Sequence, residues 1–137
     1  MNRNSAQSVA LLAGAALIAI GLLGFLPGTT TQYDSISFAG EGSGAKLVGL
    51  FQVSILLNLV QLLIGAAGIW LAKTTSGARQ YLLGAGVAYL VLWALGIAQA
   101  GKWIPVNAAD HWLHLGFGAG LIGLAFATSG SLRSQAA

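Results

Sequence analysis

The chain has 137 residues, of which 56% are hydrophobic, and full charges are confined to six basic and three acidic residues. It contains no cysteine, so disulfides, iron–sulfur clusters and thiol catalysis are excluded. The net charge of +3 comes from scattered residues rather than from a basic cluster that could follow a phosphate backbone, so nucleic acid is not an expected partner.

Four long segments between the charged residues contain no charged residue and are rich in Leu, Ala, Ile, Val and Gly. A helix needs roughly 20 mainly apolar residues to cross the hydrocarbon core of a bilayer. The strands of a membrane barrel would instead alternate polar and apolar residues. The pattern predicts a single all-α domain, a four-transmembrane-helix bundle with helices at about residues 8–26, 47–71, 81–100 and 110–128.

The first apolar run follows Arg3 and stops at Pro27, which cannot continue a helix. A signal-peptide core is usually about 7–15 residues long with a cleavage site close behind it. This run is longer, and the nearest small-x-small site, at residues 37–39, lies too far downstream. We therefore expect a retained helix.

The second segment carries three polar residues, Ser54, Asn58 and Gln61, whose spacings of four and three place them on one helix face. An amide is costly against lipid, so this face should point at other helices. Two interpretations are open. The residues make hydrogen bonds between helices, or they line a site for a ligand.

Orientation in the membrane follows from Lys and Arg in short loops, which stay on the cytoplasmic side. Four basic residues fall on one side of the predicted bundle and two on the other. The larger group is Arg3, Lys73, Arg79 and Arg133, and the smaller is Lys46 and Lys102. The sequence thus predicts a multi-pass membrane protein with both termini in the cytoplasm.

A second polar cluster, Asn107, Asp110, His111 and His114, lies around the start of helix 4. Asp110 is expected to cap that helix, and His114 shares its face and is expected to point towards Asn58 or Gln61 of helix 2. The cluster is interpreted as a capped, hydrogen-bonded helix end, or as a ligand or metal site, or as a pH-sensitive contact. Two ligands do not make a metal site, so no metal and no cofactor are predicted.

Helix 4 also carries a stripe of small residues, Gly116, Gly120 and Gly123. Helices in lipid associate through close packing of small residues. The stripe is expected to pack against protein, either inside the bundle or on another subunit.

Several segments of the chain resemble a bacterial family of small four-helix membrane proteins, common in actinobacteria, that carries a domain-of-unknown-function label. The matching segments are residues 24–28, 50–53, 58–60, 63–65 and 105–110, with Leu113 and His114. In that family, the motif of helix 2 is His-Asn-Leu-Val-His and the motif of helix 4 is Asn-x-x-Asp-x-x-Leu-His. Here the helix 4 pattern is complete, whereas Leu57 and Gln61 replace the two histidines of helix 2. The resemblance implies that a multi-histidine metal site, if the family has one, has lost two ligands here.

No arrangement typical of catalysis is present: the sequence has no Ser–His–acid trio in reach, no paired carboxylates within a span, and no phosphate loop. We therefore expect a non-enzymatic membrane protein, an accessory or structural subunit of a larger assembly. Its expected partners are lipids and other membrane subunits or further copies of itself. The alternative is a protein that binds a metal, a lipid or a quinone at the polar cluster near helices 2 and 4.

Overall fold

The structure, a computed structural model, describes residues 4–40, 42–98 and 106–136, and the side chains as far as residue 129. Four helices follow one another: α1 (Ser5–Gly24), α2 (Ile55–Leu71), α3 (Thr75–Ile97) and α4 (Ala108–Ala136). The all-α four-helix architecture is confirmed. Of these helices, α1, α3 and residues 108–129 of α4 are long and apolar enough to cross a membrane, whereas α2 has 17 residues and is shorter.

The start of α2 differs most from the prediction, because the apolar residues from 47 onwards do not begin a helix. Strands β1 (Thr30–Thr31), β2 (Lys46–Leu47) and β3 (Phe51–Gln52) form a small antiparallel sheet in that order. Val48 and Gly49 turn the chain between β2 and β3 with positive φ angles of 46° and 72°. A helix cannot pass through such a turn, so α2 begins only at Ile55.

Ser54 is the N-cap of α2 rather than part of a polar stripe, because its hydroxyl oxygen accepts from the Leu57 amide at 3.1 Å. Whereas α2 begins later than predicted, the other three helices begin earlier, and each has its own cap. Asn4 and Gln7 form a capping box at the start of α1, and Thr74 caps α3. The predicted bounds of helices 1 and 3 followed their apolar segments, whereas the structure begins α1 and α3 directly after the polar caps Asn4 and Thr74.

The helices pair into two tightly packed antiparallel hairpins, α1 with α2 and α3 with α4, which make fewer contacts with each other. In the first hairpin, Gly14 and Gly65 let the two backbones approach closely. In the second, Gly86 and Gly118 do the same, Gly86 against Ile122 and Gly118 against Leu90.

The sheet lies at the end of the bundle where α1 ends and where α2 and α4 begin, which we call the sheet end. Ala45, Leu47 and Val53 are buried there, and Ile20 of α1 packs against them. The Thr30 hydroxyl donates to the carbonyl oxygens of Leu23 at 2.9 Å and Gly24 at 3.1 Å. The sheet therefore continues the bundle and satisfies the carbonyls at the end of α1.

Candidate functional site

The predicted polar cluster forms at the start of α4, but a different residue caps the helix. Asn107 is the cap: its Oδ1 accepts from the Asp110 amide at 3.0 Å, and Asp110 Oδ2 accepts from the Asn107 amide at 2.8 Å. This reciprocal pair is a capping box in which Asp110 takes the third helical position. The prediction that Asp110 is the N-cap is therefore wrong by three residues, although its carboxylate does serve the helix N-terminus.

The same two side chains tie α4 to the small sheet. Asp110 Oδ2 also accepts from the backbone amide of Gln52 at 3.2 Å, and Asn107 Nδ2 donates to the Leu50 carbonyl at 2.7 Å. Asp110 is 2% exposed. A buried carboxylate is tolerated when backbone N–H groups and a helix N-terminus surround it, as they do here. This part of the cluster has a structural role.

His114 lies one turn further along α4 and is 1% exposed. Its ring packs against Tyr89 of α3, with the ring centroids 5.7 Å apart. The expected neighbours were Asn58 and Gln61 of α2, but α4 packs mainly on α3, and α2 mainly on α1. Sequence reasoning did not single out Tyr89, because a tyrosine in an apolar helix gives no signal of its own.

Asn58 and Gln61 are buried between helices, 0% and 4% exposed, so the prediction that their face points into the bundle is confirmed. The Asn58 amide lies against α1 at Gly24, where a β-carbon would stand 2.5 Å from its Cγ. The predicted hydrogen bonds between helices are not formed within the described residues. Both amide atoms of Asn58 and Oε1 of Gln61 have no hydrogen-bond partner there.

The same holds for four ring groups buried in the second hairpin. The hydroxyls of Tyr81 and Tyr89 and the Nδ1 atoms of His111 and His114 have no hydrogen-bond partner among the described residues. A polar group buried in an apolar interior without a partner costs several kcal/mol. These atoms are buried polar groups that lack a hydrogen-bond partner among the described residues.

The glycine stripe of α4 faces away from the core. Gly116, Gly120 and Gly123 have no neighbouring atom within 4 Å of the position where a β-carbon would stand. The expectation that the stripe packs inside the bundle is therefore wrong, and Gly118 makes the close approach instead. Gly118 follows His114 by one turn. The packed face of α4 is therefore the face that carries His114 and Gly118, and not the face that carries the glycine stripe.

An apolar groove of about 470 Å³ runs between α1 and α4 and borders the stripe. From α1 it is lined by Leu12 and Ala13, and from α4 by Gly116, Phe117, Gly120 and Leu124. Phe117 also packs against Tyr89, with the ring centroids 5.3 Å apart. Phe117 therefore contacts both the groove and the Tyr89 ring. Within the described residues no group of three or more His, Cys, Asp or Glu side chains is placed to hold a metal ion.

A family model described as Domain of unknown function (DUF4383) matches residues 7–127. The chain belongs to this family. In this DUF4383 member the match begins in the first turn of α1 and ends near the close of the membrane-spanning part of α4, so it covers the whole bundle and the sheet. The resemblance to a family with a domain-of-unknown-function label is confirmed. No curated protein and no solved structure matches the DUF4383 chain.

Proposed function

We propose that this chain is a non-enzymatic accessory subunit of a larger membrane assembly in a bacterial plasma membrane, and that a partner helix docks on the glycine stripe of α4. The observation that carries the proposal is that Gly116, Gly120 and Gly123 are exposed and open, while a different glycine of α4, Gly118, makes the close contact with α3. Small residues on a lipid-facing surface let a second helix approach closely.

Docking of a partner helix on the stripe is tested by replacing one of its glycines with a larger residue. We expect Gly123→Leu to release a co-purifying membrane protein, because the leucine side chain holds a partner helix away from the α4 backbone. Gly84→Leu on α3 is the matched control, since Gly84 is equally open and lies on another helix. Native mass spectrometry in mild detergent gives the stoichiometry, and a photo-crosslinker at Ala127, on the same face, identifies the contact. A complex that survives Gly123→Leu and does not crosslink at Ala127 contradicts the proposal.

We also propose the orientation given by the basic residues, with both termini cytoplasmic and the small sheet outside. Single cysteines at Gly42 and at Ser76, both exposed, lie at opposite ends of the bundle. We expect Gly42→Cys to react with a membrane-impermeant maleimide in intact cells and Ser76→Cys to react only after lysis. The reverse pattern would show the opposite orientation. Labelling of both cysteines in intact cells would contradict the proposed topology.

A second candidate function, binding of a small ligand, is favoured by the buried polar atoms without protein partners. Tyr89 and His114 are 2% and 1% exposed, yet the Tyr89 hydroxyl and His114 Nδ1 make no hydrogen bond within the described residues. A ligand that supplied those bonds would remove the cost of burying them. The two functions are compatible, because the stripe lies on the outer side of α4 and the polar pair on its inner side.

A further inference from the structure

The sheet end carries three large apolar side chains that the protein itself does not cover. Phe38 is 63% exposed, Val48 57% and Leu50 58%. None of the three belongs to the buried cluster that holds the sheet against α1. Large apolar side chains that stay exposed outside the helices mark a surface that contacts a membrane or another protein. We call these three residues the apolar collar.

Each residue of the apolar collar is fixed beside a different helix end. The Val48 amide donates to the carbonyl oxygen of Thr29, just after α1, at 2.7 Å. The Phe38 carbonyl oxygen accepts at 2.8 Å from the amide of the second residue of α2. The Leu50 carbonyl oxygen accepts from Nδ2 of Asn107, the cap of α4. The collar residues therefore lie around the bundle at one end, and not together on one side of it.

The start of α4 sets the height of the collar along the bundle. Residues 108–129 of α4 are long and apolar enough to cross a membrane, so its first turns lie at the membrane boundary. Trp112, in the second turn, is exposed, and Trp is enriched where hydrocarbon meets the lipid head groups. Because Leu50 is hydrogen-bonded to the cap of α4, the collar lies close to the same boundary.

We propose that the apolar collar inserts into the lipid interface, so that the small sheet is part of the membrane-embedded domain rather than a water-exposed loop. The collar contacts lipid and not a partner protein, because its residues are distributed over three helix ends. A bilayer surrounds a spanning protein on every side, whereas a partner helix covers one side. The inference goes beyond partner docking on α4 and holds for either orientation of the chain.

The backbone of Val48 supports an interaction made by its side chain. Its φ angle is 46°, and a positive φ is rare for a β-branched residue. Asparagine or glycine would make the same turn with less strain. A strained residue persists where other interactions stabilise it, and lipid around the exposed valine side chain would supply such an interaction.

The charges near the collar suit the boundary between lipid and water. Residues 46–52 carry a single charge, that of Lys46, which is exposed. A lysine can lay its apolar stem along the protein and place its ammonium among anionic phosphates. Asp34, in the turn between β1 and β2, is also exposed, and a carboxylate remains in water. The sheet end therefore offers groups to both lipid and water, as an interfacial element requires.

Insertion is tested with single nitroxide labels, because the chain has no cysteine of its own. Phe38→Cys, Val48→Cys and Leu50→Cys are labelled one at a time in nanodiscs of phosphatidylcholine and phosphatidylglycerol. Collisions of each label with oxygen, which concentrates in lipid, are compared by electron paramagnetic resonance with collisions with a nickel chelate, which stays in water. We expect a ratio of oxygen to chelate collisions several-fold above that of the water-facing control Asp34→Cys.

Leu63→Cys is the control for a label in lipid, because Leu63 is exposed in the middle of α2. All five labelled positions are exposed, so the variants are expected to fold, which circular dichroism checks.

Three results would overturn the proposal. In the first, all three collar labels give the same ratio as Asp34→Cys. In the second, only one or two of them give a lipid ratio, although a surrounding bilayer must contact all three. In the third, neither reagent reaches the labels, which would show that protein covers the collar, as in a contact between two copies of the chain. None of the labels lies on the glycine stripe, so these results do not depend on partner docking.

Discussion

Replacing Gly65 with alanine is expected to lower the free energy of unfolding by about 1–3 kcal/mol, although alanine is the better helix former. A β-carbon at Gly65 would stand 2.7 Å from the Gly14 carbonyl oxygen and 2.8 Å from the Ile18 amide nitrogen. Both atoms belong to the α1 backbone, so no side chain can rotate away and the hairpin must separate. Gly65→Leu is expected to prevent the α1–α2 hairpin from forming.

The control for this prediction is Gly84→Ala, because a β-carbon at Gly84 meets no atom within 4 Å. There the helix propensity of alanine acts alone, and the protein should be unchanged or more stable by up to about 1 kcal/mol. Thermal unfolding of both variants in the same detergent measures the difference. Equal melting temperatures would show that α1 and α2 are not in backbone contact at Gly14 and Gly65.

The second large effect is expected from Asp110→Ala. The change removes the acceptor for the backbone amides of Asn107 and Gln52 and the negative charge at the start of α4. We expect a loss of about 2–4 kcal/mol, more than a helix cap alone contributes, because the part-buried Gln52 amide also loses its charged partner. The Gln52 amide should then exchange with deuterium much faster.

Asp34→Ala is the matched control, since Asp34 is an exposed acid in the turn between β1 and β2. It should leave both the unfolding free energy and the exchange of the Gln52 amide unchanged. If Asp110→Ala behaves in the same way, the contact between α4 and the sheet does not contribute to stability.

The helices were predictable where composition alone decides them. Long uncharged segments located α1, α3 and α4, because charge is expensive in hydrocarbon and therefore rare there. The start of α2 was not predictable in this way, because residues 47–53 are mainly apolar and suit a helix or a short strand equally well. Gly49 inside that run and Ser54 after it are a turn and a cap signal, and together they favour a later start.

The candidate site was predictable in part. The pair Asn107 and Asp110, three residues apart before an apolar run, has the spacing of a capping box, and reading it that way would have placed the cap on Asn107. The facing helix of His114 was not predictable, because a sequence does not state which helices are neighbours. Tyr89 and Phe117 are ordinary residues of apolar helices, and only their positions relative to the groove distinguish them.

The short α2 has a consequence for the bilayer itself. Its 17 residues extend about 26 Å, less than the roughly 30 Å of a typical hydrocarbon core, while α3 has 23 residues and about 35 Å. In a bilayer that all four helices cross, we expect the lipids beside α2 to thin to match it and α3 to tilt. The expected result is a bilayer of uneven thickness around the protein, which would favour thinner membrane regions and clustering with proteins of matching thickness.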